Sequence, residues 1–376
     1  MDNIKSYIVA GLMLMAGLMP AIKYSLSMDA KYWHWWVLMA GFLGFYTMFL
    51  KVPLILKFVA VGTFVLCFFS SAPSISFTQY IPLVFCCYFY ILCLSIKDYS
   101  IIYGFLQCLL LFNLLFFIMQ LTNNDSLLNF GISGGIKNYG IVGYRMQSAS
   151  FITILSATLI PHRMINLVTP FFTSAVCNSA GSFLSVSAGL IYFLSRKFKK
   201  RTVIKIASGL FLIFVAWMVF TGKLAANMNM NDFGGRLFVW MRSLQLSWEH
   251  PFVGYGIATY KGIFPALGGI DSIPWKTAHN SWIQIIFETG YIFPSVLFGY
   301  FFYVLFNLIK LINRKIHREI AVKCIAGFLI ISVDMMFHFP DRMIQAVLII
   351  IFFLAYIQKV VSDGRRQSKD SELSLS

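Results

Sequence analysis

The chain consists of long apolar runs separated by short polar segments. A helix needs about 20 apolar residues to cross the hydrocarbon of a bilayer, and about 17 are enough in the shortest cases. Uncharged runs of roughly this size lie at residues 6–22, 32–50, 99–124, 146–162, 206–222, 289–309 and 343–358. The pattern therefore predicts an all-α protein that crosses a membrane many times.

Two longer uncharged runs contain a turn in the middle. Residues 58–96 are interrupted by Ser70–Ser74, and residues 164–195 by Asn178–Ser182. Clusters of Ser, Pro, Gly and Asn favour turns, so each run predicts a helical hairpin. With one further span at residues 320–337, we predict about twelve transmembrane helices. They form a single transmembrane domain, residues 1–361, followed by a disordered cytoplasmic tail, residues 362–376.

Composition supports this interpretation and excludes an ordinary soluble domain. Hydrophobic residues make up 59% of the chain, charged residues 12%, and the mean hydropathy is +0.76, as expected inside a bilayer. The net charge of +16 would suggest nucleic-acid binding in a soluble protein, but here Lys and Arg cluster where apolar runs end. About two thirds of them face the cytoplasm if both termini are cytoplasmic, which is the orientation that the positive-inside rule favours.

The seven cysteines lie in or beside apolar runs and form no CxxC or Cys/His spacing. We interpret them as packing thiols, so we expect neither a disulfide framework nor a metal site. The first apolar run has no cleavage site after it, which predicts an uncleaved first helix. Membrane lipids are the expected surroundings, and nucleic acid is not an expected partner.

This topology leaves two long segments on the outer side of the membrane, residues 122–145 and 222–278. A long connection in a protein whose other connections are short is usually functional. The second segment carries apolar residues at the spacing of one helical stripe, namely Leu237, Trp240, Met241, Leu244 and Trp248. The stripe fits either a helix lying on the membrane surface or a helix packed on the bundle.

Polar residues crowd where the longer loop re-enters the membrane. Asn280 is followed by Gln284 and Glu288, so the three share one face of the helix that begins the next span. Arg236 has forked donors suited to phosphate, although a single Arg near a membrane often only snorkels to the surface. His279 suits a general base near neutral pH, or a hydrogen-bonded residue at a helix start.

These segments together resemble the O-antigen ligase and polymerase superfamily of bacterial inner membranes. The resemblance rests on Gly-Arg-Leu at Gly235–Leu237, His-Pro…Gly-x-Gly at His250–Gly256, and Ala-His-Asn…Glu-x-Gly over Ala278–Gly290. Ser332–Asp334 with Arg342 is similar to the penultimate hairpin of that family.

This resemblance implies a membrane-embedded (GT-C type) glycosyltransferase that needs neither metal nor cofactor. Such proteins take a glycan from undecaprenyl pyrophosphate and join it, with inversion, to an acceptor hydroxyl on the periplasmic face. The acceptor is lipid A core, a growing glycan or a protein.

On this chain the resemblance implies that Arg236 holds the pyrophosphate and that His279 activates or orients the acceptor hydroxyl. The outer acidic residues form no acid-x-acid pair, so fixed cations must stabilise the leaving group in place of a metal. Further candidates for substrate binding, with Lys137 as an additional cation, are Arg145, Arg242, Asn280, Glu288 and Arg342.

One position departs from the family pattern. Family members carry a Ser/Thr-Arg-Gly/Ala turn in mid-chain, whereas Asn178–Ser182 contains no Arg. Either another cation substitutes for it, with Arg145 as the first candidate, or donor binding is weakened or changed, or activity is lost.

Two alternatives to a ligase stay open at the level of sequence. No Arg is followed by Gly eleven positions later, a polymerase-like spacing, so the sequence favours ligase over polymerase. A secondary transporter with Asp334 and Arg342 as a coupling pair is the less favoured alternative, because carriers place ionisable groups at the midplane of two symmetric halves.

Overall fold

The computed structural model describes residues 2–18, 40, 43–44, 53–121, 145–177, 179–220, 236–267, 277–338 and 343–373. These residues form α-helices and connecting turns, and no strand occurs among them. The helices are α1 (Asp2–Leu18), α2 (Leu54–Phe68), α3 (Pro73–Leu94), α4 (Ser100–Leu121), α5 (Arg145–Leu159), α6 (Val168–Val176), α7 (Ala180–Ser195), α8 (Lys200–Phe220), α9 (Arg236–Ser247), α10 (Tyr260–Leu267), α11 (Ser281–Thr289), α12 (Ile292–Asn313), α13 (Arg318–Phe337) and α14 (Ile344–Leu373).

Six of the described helices are long and apolar enough to cross a membrane, namely α3, α4, α8, α12, α13 and α14. Shorter apolar helices occur in α1, α2, α5, α6 and α7. The chain is therefore a polytopic, all-helical membrane protein. The count of about twelve spans and the GT-C arrangement stay predictions, and most of the run at 32–50 lies outside the described residues.

Both expected hairpin turns are present. α2 ends at Phe68 and α3 begins with Pro73 in its first turn, where the missing N–H of proline costs nothing. The second turn separates α6 from α7, and Ser179 caps α7 by accepting a hydrogen bond from the backbone N–H of Ser182. The hairpin predictions at these two positions are confirmed.

Small residues allow α7 to pack tightly against α13. A Cβ on Gly189 would lie 2.4 Å from the side chain of Ile330, and one on Gly181 would lie 2.4 Å from Cβ of Phe337. Close approach through small residues is a common way for helices to associate inside membranes. The contact places the first turn of α7 beside the last turn of α13.

The C-terminal segment differs from the disordered tail expected over residues 362–376. Helix α14 continues to Leu373, and the last three residues lie outside the described part. Gly364 packs on Leu311 so closely that a Cβ would meet its side chain at 2.5 Å, and Arg314 donates a hydrogen bond to Ser368. These contacts with α12 hold the polar end of α14 in helical form.

Candidate functional site

The N-terminal part of α9 contacts two other parts of the chain. The Trp240 Nε1–H donates to the carbonyl of Ala278 at 2.8 Å. Arg236, one turn earlier on the same face, donates from Nη1 to the carbonyl of Phe337 at 3.2 Å. Arg236 is thereby held between the segment that carries His279 and the end of α13.

His279 lies immediately before the start of α11, in a left-handed backbone conformation with φ of 51°. This conformation is uncommon outside glycine and costs on the order of 1–3 kcal/mol. Its neighbours hold it in place, because the Asn280 side chain caps α11 by accepting from the N–H of Ile283 at 3.2 Å, and Ser281 Oγ donates to the carbonyl of His338 at 3.3 Å. The imidazole thus projects from a strained, firmly anchored turn.

The electrostatics connect Arg236 with His279. Burial, then the positive charge of Arg236, and last an electrostatic contribution from His338 lower the pKa of His279 to about 4. Burial also lowers the pKa of Arg236, although a guanidinium keeps its proton throughout the physiological range. Near neutral pH the pair therefore consists of a fixed cation beside a neutral imidazole that can accept a proton.

A second imidazole, His338, joins a buried polar network at the ends of α7 and α13. His338 Nδ1 lies 3.0 Å from Asp334 Oδ1, and its Nε2 lies 3.0 Å from Ser179 Oγ. Asp334 is fully buried and also accepts hydrogen bonds from Ser150 and Ser182. His338 was missed from the sequence, where the only signal was its spacing of four residues from Asp334.

The network occupies the turn at which the family pattern has an arginine. Ser179 and Ser182 belong to that turn, and a Cβ on Gly181 would lie 2.7 Å from Cε1 of His338. The side chain beside the turn in this chain is therefore an imidazole supported by a carboxylate. Asn178 lies outside the described residues.

The face of α11 that carries Asn280, Gln284 and Glu288 holds the loop before it. Glu288 accepts from the N–H groups of Ala258 at 2.8 Å and Tyr260 at 3.3 Å, and from the Gln284 amide at 3.1 Å. Gln284 accepts in turn from the N–H of Ala278 at 3.3 Å. Through these hydrogen bonds Gln284 and Glu288 position the loop.

The glycines of the motif permit a close approach of backbones. Gly254 and Gly290 have φ of 64° and 70°, and a Cβ on Gly254 would lie 2.5 Å from the N of Thr289. Across this contact the N–H of Gly256 donates to the carbonyl of Glu288 at 2.9 Å. The backbones of the His-Pro…Gly-x-Gly and Glu-x-Gly segments are therefore in direct contact, and only glycine allows so close an approach. We call this contact the clasp.

The same loop is anchored to the turn between α2 and α3. The N–H of Ser71 donates to the carbonyl of Tyr255 at 2.8 Å, and Ser76 Oγ donates to the carbonyl of Ile257 at 2.9 Å. A Cβ on Gly256 would lie 1.8 Å from Ser70 Oγ. The hairpin of α2 and α3 thus holds this part of the long loop in place through hydrogen bonds.

The remaining candidates are not brought to Arg236 and His279 within the described residues. Arg242 lies about 120° from Arg236 around the axis of α9 and donates to the carbonyl of Leu267 at 3.1 Å and to Gln245 at 2.9 Å. Helix α5 begins at Arg145, whose side chain is outside the description, as are Lys137 and Arg342. Substrate binding by these residues stays a prediction.

The apolar stripe on α9 divides between two environments. Met241 and Trp248 are 54% and 70% exposed, whereas the buried face of the helix carries Val239 and Leu246. The helix packs on α11 through that buried face and leaves part of the stripe uncovered.

The family model described as O-antigen ligase matches residues 165–293. The matched segment begins just before α6 and ends at the start of α12, so it contains Arg236, His279 and Glu288. Asp334 and His338 lie beyond it. No protein of curated function matches the chain. Over residues 165–293 the family match confirms the resemblance to the O-antigen ligase and polymerase superfamily that the sequence shows.

Proposed function

We propose that the protein is an O-antigen ligase-like glycosyltransferase. It moves a glycan from undecaprenyl pyrophosphate to an acceptor hydroxyl on the periplasmic face of the bacterial inner membrane, without metal and with inversion. The observation that supports this proposal is the convergence of Arg236 and His279, from opposite ends of the long loop, at the end of α13.

The charge that develops on the leaving group explains the role of Arg236. When the bond from the anomeric carbon to the phosphate oxygen breaks, the electron pair stays on the lipid pyrophosphate. Fixed positive charge in a partly buried site stabilises this developing anion, and the planar fork of Arg236 matches phosphate oxygens. Its bond to the Phe337 carbonyl orients the guanidinium before the substrate binds.

The attacking group accounts for the histidine. The acceptor oxygen forms the new bond to the anomeric carbon on the side opposite the pyrophosphate, which inverts the configuration. The hydroxyl proton passes to the imidazole of His279, which is neutral because burial and nearby charges lower its pKa to about 4. One bond forms, one breaks and one proton is transferred, so the step is balanced without a further reactant.

A polymerase of the same superfamily uses the same chemistry with a growing glycan as acceptor. The absence of the Arg-to-Gly spacing in the sequence favours the ligase, whose acceptor is lipid A core or a protein. A secondary transporter is less well supported, because Asp334 lies four residues before the cap of α13 and is engaged by His338. In this proposal both termini are cytoplasmic.

Deletion of the gene in its native host tests the proposal. Loss of transfer should leave the lipid-linked glycan to accumulate and remove the attached glycan, as read by mass spectrometry and gel electrophoresis. Plasmid copies carrying Arg236→Ala or His279→Ala should fail to restore attachment at wild-type protein levels. The matched control is Lys261→Ala, on the exposed face of α10, which should restore it.

Normal attachment by both Arg236→Ala and His279→Ala would overturn the site. Normal attachment in the deletion strain itself, without accumulation of lipid-linked glycan, would overturn the transferase. A change confined to glycan chain length would identify the polymerase.

A further inference from the structure

A cavity with several polar lining residues lies along the C-terminal half of α12. It has a volume of about 520 Å³ and is lined by Tyr303, Val304, Arg314, Gln358, Val361, Ser362, Arg365, Arg366 and Ser368. Helix α12 begins directly after α11 and has 22 residues, which corresponds to about 33 Å. The lining residues that α12 contributes, from Tyr303 to Arg314, therefore lie about 17–33 Å along the helix from its start beside α11.

The ionisable side chains that line this cavity, Tyr303 apart, are all arginines. No Asp or Glu is among its lining residues, and within the described part of the chain no carboxylate lies within 4.0 Å of Arg365 or Arg366. Arg365 has neutral side chains as hydrogen-bond partners. Arg365 donates to the Tyr303 hydroxyl at 2.9 Å and to Asn307 at 2.5 Å.

The remaining polar groups add donors. Gln358 Oε1 accepts from the hydroxyls of Tyr90, at 2.8 Å, and Tyr300, so its amide hydrogens remain for the cavity. A site lined by guanidinium and amide donors, with no Asp or Glu among its lining residues, is suited to an anion whose oxygens are all acceptors. Phosphate oxygens have this character.

The exposed apolar surface of α12 beside the cavity fits an anion that is attached to lipid chains. On α12 beside the cavity, Phe302, Phe306 and Ile309 are 69%, 57% and 42% exposed, which is the surface that acyl chains cover in a bilayer. Lys310, at the same end of the helix, lies over the Phe306 ring at 4.6 Å. A phosphate in the cavity can therefore have its lipid chains on the adjoining apolar face of α12.

We propose that this cavity binds the phosphate of an anionic phospholipid headgroup. Basic pockets between transmembrane helices on the cytoplasmic side recognise such headgroups. The proposal does not depend on the glycosyltransferase activity, since it rests on the arginines, their neutral partners and the exposed face of α12. Free inorganic phosphate is the other source of the same chemistry.

Thermal unfolding of the purified full-length protein tests this assignment. The probes are dioleoylphosphatidylglycerol and dioleoylphosphatidylcholine in mixed detergent micelles, and inorganic phosphate added alone. Dioleoylphosphatidylglycerol should raise the Tm of the wild type in a saturable way, and dioleoylphosphatidylcholine should not. Each arginine near a membrane surface contributes about fivefold in affinity, so Arg366→Gln should weaken binding about fivefold and Arg365→Gln/Arg366→Gln roughly 25-fold.

Two features keep the test decisive. Arg366 is exposed and makes no hydrogen bond within the described residues, so Arg366→Gln should fold normally. The control Lys200→Gln/Arg201→Gln removes two exposed charges from the start of α8 and should keep wild-type affinity. Equal affinity of the cavity and control variants, no response of the wild type, or an equal response to inorganic phosphate alone would each overturn the assignment.

Discussion

Acidification should leave glycan transfer almost unchanged down to about pH 5 if His279 accepts the proton of the acceptor. The ordinary pKa of 6.5 is lowered to about 4, first by burial, then by the charge of Arg236 and last by an electrostatic contribution from His338. At pH 5.5 a group with a pKa of about 4 is about 97% neutral, whereas one with a pKa of about 6.5 is about 9% neutral. The initial rate at pH 5.5 should therefore stay close to the rate at pH 7.5, and not fall about tenfold.

The assay needs membranes that contain the enzyme and lipid-linked glycan extracted from the deletion strain. Initial rates between pH 4 and 8 are followed by mass spectrometry of the product. Stability changes in the same window, because a lowered native pKa means that the unfolded chain binds more protons between pH 6.5 and about 4, so stability falls as pH falls. Short assays and a measurement of folded protein at each pH separate the two effects.

The control variant for the pH profile is His250→Gln. Its ring packs on Tyr255 at 4.5 Å and has no part in the proposed transfer, so the acid limb should stay in place. A tenfold loss of rate at pH 5.5 with fully folded wild-type protein would refute the reasoning, because it would require the base to have an ordinary histidine pKa.

Three further predictions concern packing, the buried network and metal. Gly189→Ala should lower the free energy of unfolding by roughly 1–3 kcal/mol, and Tm with it, because its Cβ would meet Ile330 at 2.4 Å. Gly209→Ala, whose Cβ would meet nothing within 4 Å, should leave Tm unchanged. Asp334→Ala should lower Tm more than Asp370→Ala, since each buried partner left without an acceptor costs about 1–3 kcal/mol; equal Tm values would contradict this. Transfer should persist in excess EDTA, and loss of activity that Mg²⁺ restores would disprove the metal-free mechanism.

Much of the helical framework follows from the sequence because its causes are local. The length of an apolar run is fixed by bilayer thickness, and the turns before Pro73 and at Ser179 are encoded by their own residues. The polar end of α14 could not be predicted in this way. Its helix depends on contacts of Gly364 and Ser368 with α12, which no local pattern records.

The candidate site, too, could be predicted only in part from the sequence. Arg236 and His279 are found from motifs because each lies beside a helix start with recognisable neighbours. His338 is overlooked because its partner Ser179 lies 159 positions away and arrives only through the packing of α7 on α13. The motif glycines are visible in the sequence, but their reason, a backbone clasp at Gly254 and Gly290, requires the fold.

The attachment of Tyr255 and Ile257 to the turn between α2 and α3 joins residues that are 185 and 181 positions apart. These hydrogen bonds tie the hairpin to the clasped loop. Any opening that admits a bulky lipid-linked substrate must carry α2 and α3 along or break these hydrogen bonds. Substitutions at Ser70 or Ser76, remote from the chemistry in sequence, should therefore alter the rate of substrate entry before they alter the transfer step.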